Sequence, residues 1–306
     1  MKKTIKHICY AILIVFGGFL ILGVSVSFLF SEKIEDAVIQ NLTNQAENKI
    51  EVQKVEFKIF ENFPYSSVSI SNLYIKESEK FEGDTLLFAK KADIRFSIIK
   101  FLLKQITIDN ISIIDGKVSL KIDANNNKNY NVLAKSDKKN KALELNKIEL
   151  INTDFEFKSS KIQSKISINC SKINITVKNK KSLNLQINGK AYSKEITVYE
   201  KNYIENKKLE LNLNYSLIDR KSILKSSVLQ IENLDFLLDG SFDSKNIIKL
   251  DFEGNEHSIS SLMQHTPNHL KDIYTSIIAD GSIDYIGRVA GEISVSYTHL
   301  TLPTKA

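Results

Sequence analysis

The sequence predicts a mainly β protein: an amino-terminal transmembrane helix, then a long antiparallel sheet forming a groove or a sandwich, with one or two short packing helices. Three observations carry that expectation. Residues 8–30 hold no charge. From about residue 50 onward, apolar residues recur at every second position, the period of a strand with one face in water. The 306 residues include only 3 prolines and 11 glycines, too few for collagen-like or low-complexity chains, and 42% apolar residues, enough for a core.

The anchor comes first. Lys2, Lys3 and Lys6 precede Ile8 to Phe30, 23 uncharged residues. A helix of that length spans about 34 Å against a hydrocarbon core of about 30 Å. Ile8, Ile12, Leu13, Ile14, Val15, Phe16, Phe19, Leu20, Ile21, Leu22, Val24, Phe28, Leu29 and Phe30 form its apolar body. A cleaved signal peptide has a shorter apolar region ending in small residues, and Ser25-Val26-Ser27-Phe28-Leu29-Phe30 is a poor cleavage site. The leading lysines place Met1 in the cytoplasm and the bulk of the chain outside it, which in a bacterium is the periplasm. Cys9 lies in the span and Cys170 stands alone, so no intrachain disulfide is expected.

Residues 31–50 read as a helix. Ser31 caps it, Glu32, Glu35 and Asp36 favour its first turns, and Ile34, Val38, Leu42 and Ala46 recur at helical spacing. The period then changes to two. Val68-Ser69-Ile70 begins it; Ile106, Ile108, Ile111 and Ile113, then Val118, Leu120 and Ile122, follow with polar residues between them. Ile166, Ile168 and Cys170, then Ile173, Ile175 and Val177, then Leu183, Leu185 and Ile187, and finally Leu209 to Tyr215 repeat it. Asp115-Gly116, Asn188-Gly189 and Asp239-Gly240 read as the bounding turns. Residues 123–146 read as a mobile polar loop. Residues 257–279 read as helical, with Thr266 as cap, Pro267 at the first helical position, and Leu270, Ile273, Tyr274 and Ile277 as an apolar stripe.

The chemistry-bearing motifs are missing. There is no Gly-rich phosphate loop, nucleophile elbow or H-E-x-x-H helix. His265 and His269 have metal-like spacing, but a cap at Thr266 would leave His265 outside the helix, so both read as surface histidines. No catalytic, cofactor-binding or metal residues are expected, and the chain reads as a non-enzyme. Lys and Arg number 42 against 36 Asp and Glu, a net charge of +6. Only Arg95, Arg220 and Arg288 are arginines, and lysine alternates with acid, so the charge reads as a solvated surface and nucleic acid is not an expected partner.

The order of anchor, short helix and one-faced β chain resembles the AsmA family of bacterial envelope proteins, in its Bacteroidetes form. Val52 to Ile75 resembles the family's first strand pair, with Phe63-Pro64-Tyr65 at the turn. Phe88 to Ile114, with Ile98-Ile99-Lys100 before a strand, resembles the stretch that follows. Asn129-Tyr130-Asn131-Val132-Leu133 is similar to its Asn-aromatic-x-x-Leu, without the glycine that often precedes it. Leu270 to Gly291 resembles its helix, Asp-Gly turn and paired strands. The likeness spans roughly residues 1–294. It implies a role in envelope and outer-membrane biogenesis, and a curled sheet whose apolar face shields phospholipid acyl chains.

The inner membrane, phospholipid and other envelope proteins are the partners so implied. Ile166, Ile168, Leu183, Leu185, Ile187, Leu209, Leu211 and Leu213 are the candidate groove lining; the same residues would serve as the core of a closed sandwich. The alternative function is that of an envelope scaffold binding a protein partner without lipid cargo. The domains expected are residues 1–30 as cytoplasmic stub and anchor, 31–294 as an incomplete periplasmic β domain, and 295–306 as a non-native tail. That tail, with Val295 to Thr304 reading VSYTHLTLPT, resembles a translated sequencing adapter, so the native chain is expected to continue beyond Ser294.

Overall fold

Fourteen strands and two short helical turns account for nearly all of the residues that the computed structural model describes. These are residues 50–62, 65–77, 81, 84–97, 100, 107–130, 144–179, 182–219, 221–243, 247–273 and 279–292. The expected anchor, the helix expected over 31–50 except for Ile50, which lies in the first strand, the Ile98-Ile99 pair and the adapter-like tail lie outside them. Among the described residues, no helix is long and apolar enough to cross a membrane. The fold is mainly β and mostly antiparallel, and it divides into two units.

The first unit holds β1 (Ile50–Glu51), β2 (Lys54–Asn62), β3 (Tyr65–Lys76), β4 (Thr85–Ser97), the start of β5 (Thr107–Ile122) and β6 (Glu144–Leu145). Its order is β1-β3-β4-β5; β2 also pairs with β3, and β6 runs parallel to β5. The expected first strand pair is present, with Asn62 opposite Tyr65. Val55, Ile70, Ala89 and Ala92 are almost fully buried and form the centre of its core.

The second unit holds the end of β5 and then β7 (Lys147–Ser159), β8 (Ser164–Asn179), β9 (Leu183–Val198), β10 (Lys201–Ile218), β11 (Lys221–Ile231), β12 (Leu234–Phe242), β13 (Ile247–Ser258) and β14 (Ser282–Glu292), neighbours in that order. Helix α1 (Ile259–His265) and a 3-10 turn (Asn268–Ile273) connect β13 to β14.

Three sequence expectations need correction. Asp115-Gly116, Asn188-Gly189 and Asp239-Gly240 are not turns but lie inside β5, β9 and β12. Their glycines are there because the neighbouring strand comes close: a Cβ on Gly189 would sit 2.0 Å from Lys172 O, and one on Gly116 2.5 Å from Phe88 O. The turn between β9 and β10 is made instead by Tyr199 and Glu200, both at positive φ. Next, residues 123–130 are no free loop. Asn129, 1% exposed, donates from Nδ2 to Ser119 O at 2.9 Å and accepts from Lys121 N at 2.7 Å, tying the segment back onto β5. Ser119, expected on a wet face, is buried as well. Finally, Thr266 does not start a helix. Ser258 caps α1, Thr266 ends it with its hydroxyl donating to Leu262 O, and a 3-10 turn follows Pro267.

Candidate functional site: the apolar face of the second unit

Several runs that look like separate strands in the sequence are single strands with a bulge in the middle. Ile166 to Val177 all belong to β8, where the pairing shifts between Cys170 and Lys172. Asn152 in β7, Asn206 in β10, Ser226 in β11 and Glu256 in β13 take φ between 46° and 53° for the same reason. A bulge adds one residue, so the apolar period jumps from two to three and then resumes. Ile148 and Leu150 thereby share a face with Thr153, Phe155 and Phe157 on β7. On β8, Cys170 shares one with Ile173, and on β11 Leu224 with Leu229. Without the bulges, half of each strand would turn its apolar residues outward.

The pairings carry this face across the unit. Ile175, Ile187 and Leu213 form one row. Val177, Leu185, Tyr215, Leu224, Gly240, Leu250 and Val289 form another, running from β8 to β14. A third row, at the bulge line, is buried and built of smaller residues: Thr153, Cys170 and Ala191, then Leu209. Bulged strands bend, which crowds the inside of the bend and favours short side chains there. Thr153, itself 0% exposed, donates its hydroxyl to Ile151 O at 2.9 Å, and Ser227 likewise bonds Lys225 O at 3.3 Å.

All eight candidate lining residues fall on this one face of β8, β9 and β10. Their burial separates them. Leu209 is 5% exposed and belongs to the core; Leu183 is 43% exposed; Ile166, Ile168, Leu185, Ile187, Leu211 and Leu213 are half-buried. Residues the sequence reading left out extend the face: Leu217, Phe242 and Ile248 continue the outer rows, and Phe236 and Phe252 the inner ones. An open hollow of ≈ 260 Å³ lies on it between Tyr215, Leu224, Phe242 and Leu250. The Leu237-Leu238 doublet and the glycines of β12 to β14 hid that extension, since neither reads as clean alternation.

The opposite face explains the interleaved charges. Lys194 on β9 pairs with Asp154 on β7 at 2.8 Å, reaching across β8, while Lys190 pairs with Glu210 at 3.3 Å, Arg288 with Asp251, and Lys165 with Glu195, these three across neighbouring strands. Burial opposes ionisation of Asp154, yet hydrogen bonds from Lys194 and Asn169 hold its carboxyl below the usual range. At one end of the apolar face, His257 is buried against Phe236 and Tyr285. The Tyr285 hydroxyl lies 3.0 Å from its Nδ1, and its Nε2–H donates to Asp235 Oδ1 at 3.3 Å. Burial, with the charge of Asp235, pushes the Tyr285 hydroxyl up to about 12; burial, with Asp154, pushes the Cys170 thiol up to about 12. Neither supplies an anionic nucleophile at neutral pH. Among the described residues, no group of three or more His, Cys, Asp or Glu is placed to hold a metal ion. His265 and His269 have separate partners: Lys207 Nζ, and the backbone oxygen of Asn202.

No protein family model matches this chain, and no curated protein matches it.

Proposed function

We propose that the chain is a membrane-anchored envelope protein of AsmA type that holds phospholipid acyl chains along the apolar face of β8 to β14. The observation that carries this reading is the exposure of that face. A dry sandwich core leaves its leucines and isoleucines almost wholly covered, yet six of the eight lining residues are half-buried and Leu183 is open. An aliphatic surface of this extent in contact with water is a standing free-energy cost, and acyl chains laid across it remove that cost without any catalytic group. The charged opposite face stays solvated, which gives the sheet one lipid side and one water side.

The test is site-specific photocrosslinking in the full chain, expressed in bacterial membranes. A benzophenone amino acid at Leu211 is expected to capture phospholipid, while the same group at Asn212, one residue on and facing the other way, is not. Leu211→Asp is expected to reduce the phospholipid that copurifies with the chain while leaving its thermal melting intact. Capture of a protein from position 211, with no lipid, would overturn the carrier reading in favour of a scaffold.

A further inference from the structure

Where α1 and the 3-10 turn meet β10, the second unit holds a polar pocket of ≈ 230 Å³. Lys207, His265 and Lys271 line it together with the side chains of Gln264, Thr266 and Asn268; Glu205 is the one acidic residue in its wall. Lys207 follows the bulge at Asn206, so it stands on the apolar face two residues before the buried Leu209, opposite the buried Ser193. Its ammonium donates to His265 Nδ1 at 2.9 Å, and no described carboxylate lies within ion-pair distance of it. Half-buried lysines are normally matched by an acid. Lys207 is matched by an imidazole, which gives it a hydrogen bond but no opposing charge in direct contact.

We propose that this pocket binds a phosphate group, held by the ammonium groups of Lys207 and Lys271 and by His265. A tetrahedral phosphate oxygen set suits ammonium donors carried by two elements, a strand and a turn, and the volume admits one such group with a short ester. Lys207 shares the strand face of Leu211 and Leu213, so a lipid whose chains lie on those leucines would bring its headgroup there. That lipid source rests on the acyl-chain reading above; the phosphate site itself does not.

His265 makes the binding sensitive to pH. Burial, and then the charge of Lys207, hold its imidazole below the ordinary value, with Glu232 acting the other way. The charged groups around it are Lys207 and Glu205 on β10, Glu232 in the turn after β11, and Lys271 in the 3-10 turn. A bound phosphate anion, singly charged in a diester, offsets the Lys207 charge and favours the imidazolium, so binding of the diester strengthens as pH falls through the His265 titration.

The experiment uses the full chain in an uncharged detergent, following the His265 ring signals by NMR and assigning them by their loss in His265→Gln. The probes are inorganic phosphate and dihexanoylphosphatidylglycerol below its micelle concentration. Either probe is expected to move His265 titration to higher pH, and Lys207→Gln to weaken binding at least tenfold with unchanged thermal melting. Lys271→Gln, on an exposed turn, serves as the second variant and is expected to weaken it severalfold. Tighter binding of the short-chain lipid supports a headgroup source, whereas equal binding supports a free-phosphate site and overturns the lipid source. No response of His265 to either probe, or wild-type binding by both lysine variants, overturns the proposal. Lipid capture at position 211 is read separately, so the acyl-chain reading and the phosphate site fail independently.

Discussion

Thr153, Ser193 and Ser227 are each 0% exposed, although alternation with apolar neighbours would place every serine and threonine of these strands in water. They are buried because they sit at bulges, where the bent backbone leaves room for a short side chain and offers it a carbonyl or an amide: Ser193 Oγ accepts from Lys207 N at 3.2 Å and Ser227 Oγ from Asn214 N at 2.9 Å. Cys170 lies opposite Thr153 in its buried row, and its thiol, raised to about 12, stays protonated at physiological pH. At pH 8 native Cys170 is therefore expected to resist iodoacetamide, and to alkylate readily once the chain is unfolded in urea, as read by peptide mass spectrometry. The sign for stability follows from the same shift. An unfolded chain ionises this thiol near pH 9 and the folded one near 12, so the contribution is intact below pH 9 and is lost between about 9 and 12. Urea midpoints for wild type should fall more steeply across that window than those for Cys170→Ala.

Strands of 16 to 18 residues such as β8, β9 and β10 are long, and a straight one would twist its apolar residues away from its neighbours'. The bulges at Asn152, Ser171, Asn206 and Ser226 interrupt that course and restore the apolar phase on the far side. Glycine plays a different part. Gly189, at φ 147°, lets Lys172 O on β8 approach where any Cβ would collide with it. Gly189→Ala is expected to destabilise the protein by roughly 2–3 kcal/mol by combining backbone strain with a steric clash. Chemical denaturation is the measurement, and a loss below about 0.5 kcal/mol would contradict the close approach. This scale was half legible. The jump from Cys170 to Ile173 is written in the sequence, but a period broken by one residue reads equally well as a turn between two strands. The Asp-Gly and Asn-Gly pairs reinforced the wrong choice, since the same residues serve turns and strand crossings.

For the molecule as a whole, burial varies along the apolar face. Leu209→Ala is expected to cost about 2–4 kcal/mol, as for a buried leucine, whereas Leu183→Ala, at 43% exposure, should cost less than about 1. Equal losses at the two sites would mean that Leu183 is covered in the native protein and would count against a lipid surface. The half-burial itself has a simple origin. Each half-buried side chain is flanked by those on neighbouring strands, which cover its sides but not its end.

The amino-acid sequence by itself determined the class of the protein: strand periodicity from about residue 50, a charged face of paired lysines and acids, and an apolar face without catalytic motifs. These follow from local alternation, which a strand expresses whatever it pairs with. Only the tertiary structure decided which runs join into one strand, that Asn129 is an anchor rather than loop, and that Leu209 is core while Leu183 is surface. It also decided that Lys207 and His265, 58 residues apart in sequence, share a pocket. Each of these depends on what a residue meets across the sheet or from the connecting helix, and such neighbours are set by register and bulges rather than by spacing along the chain.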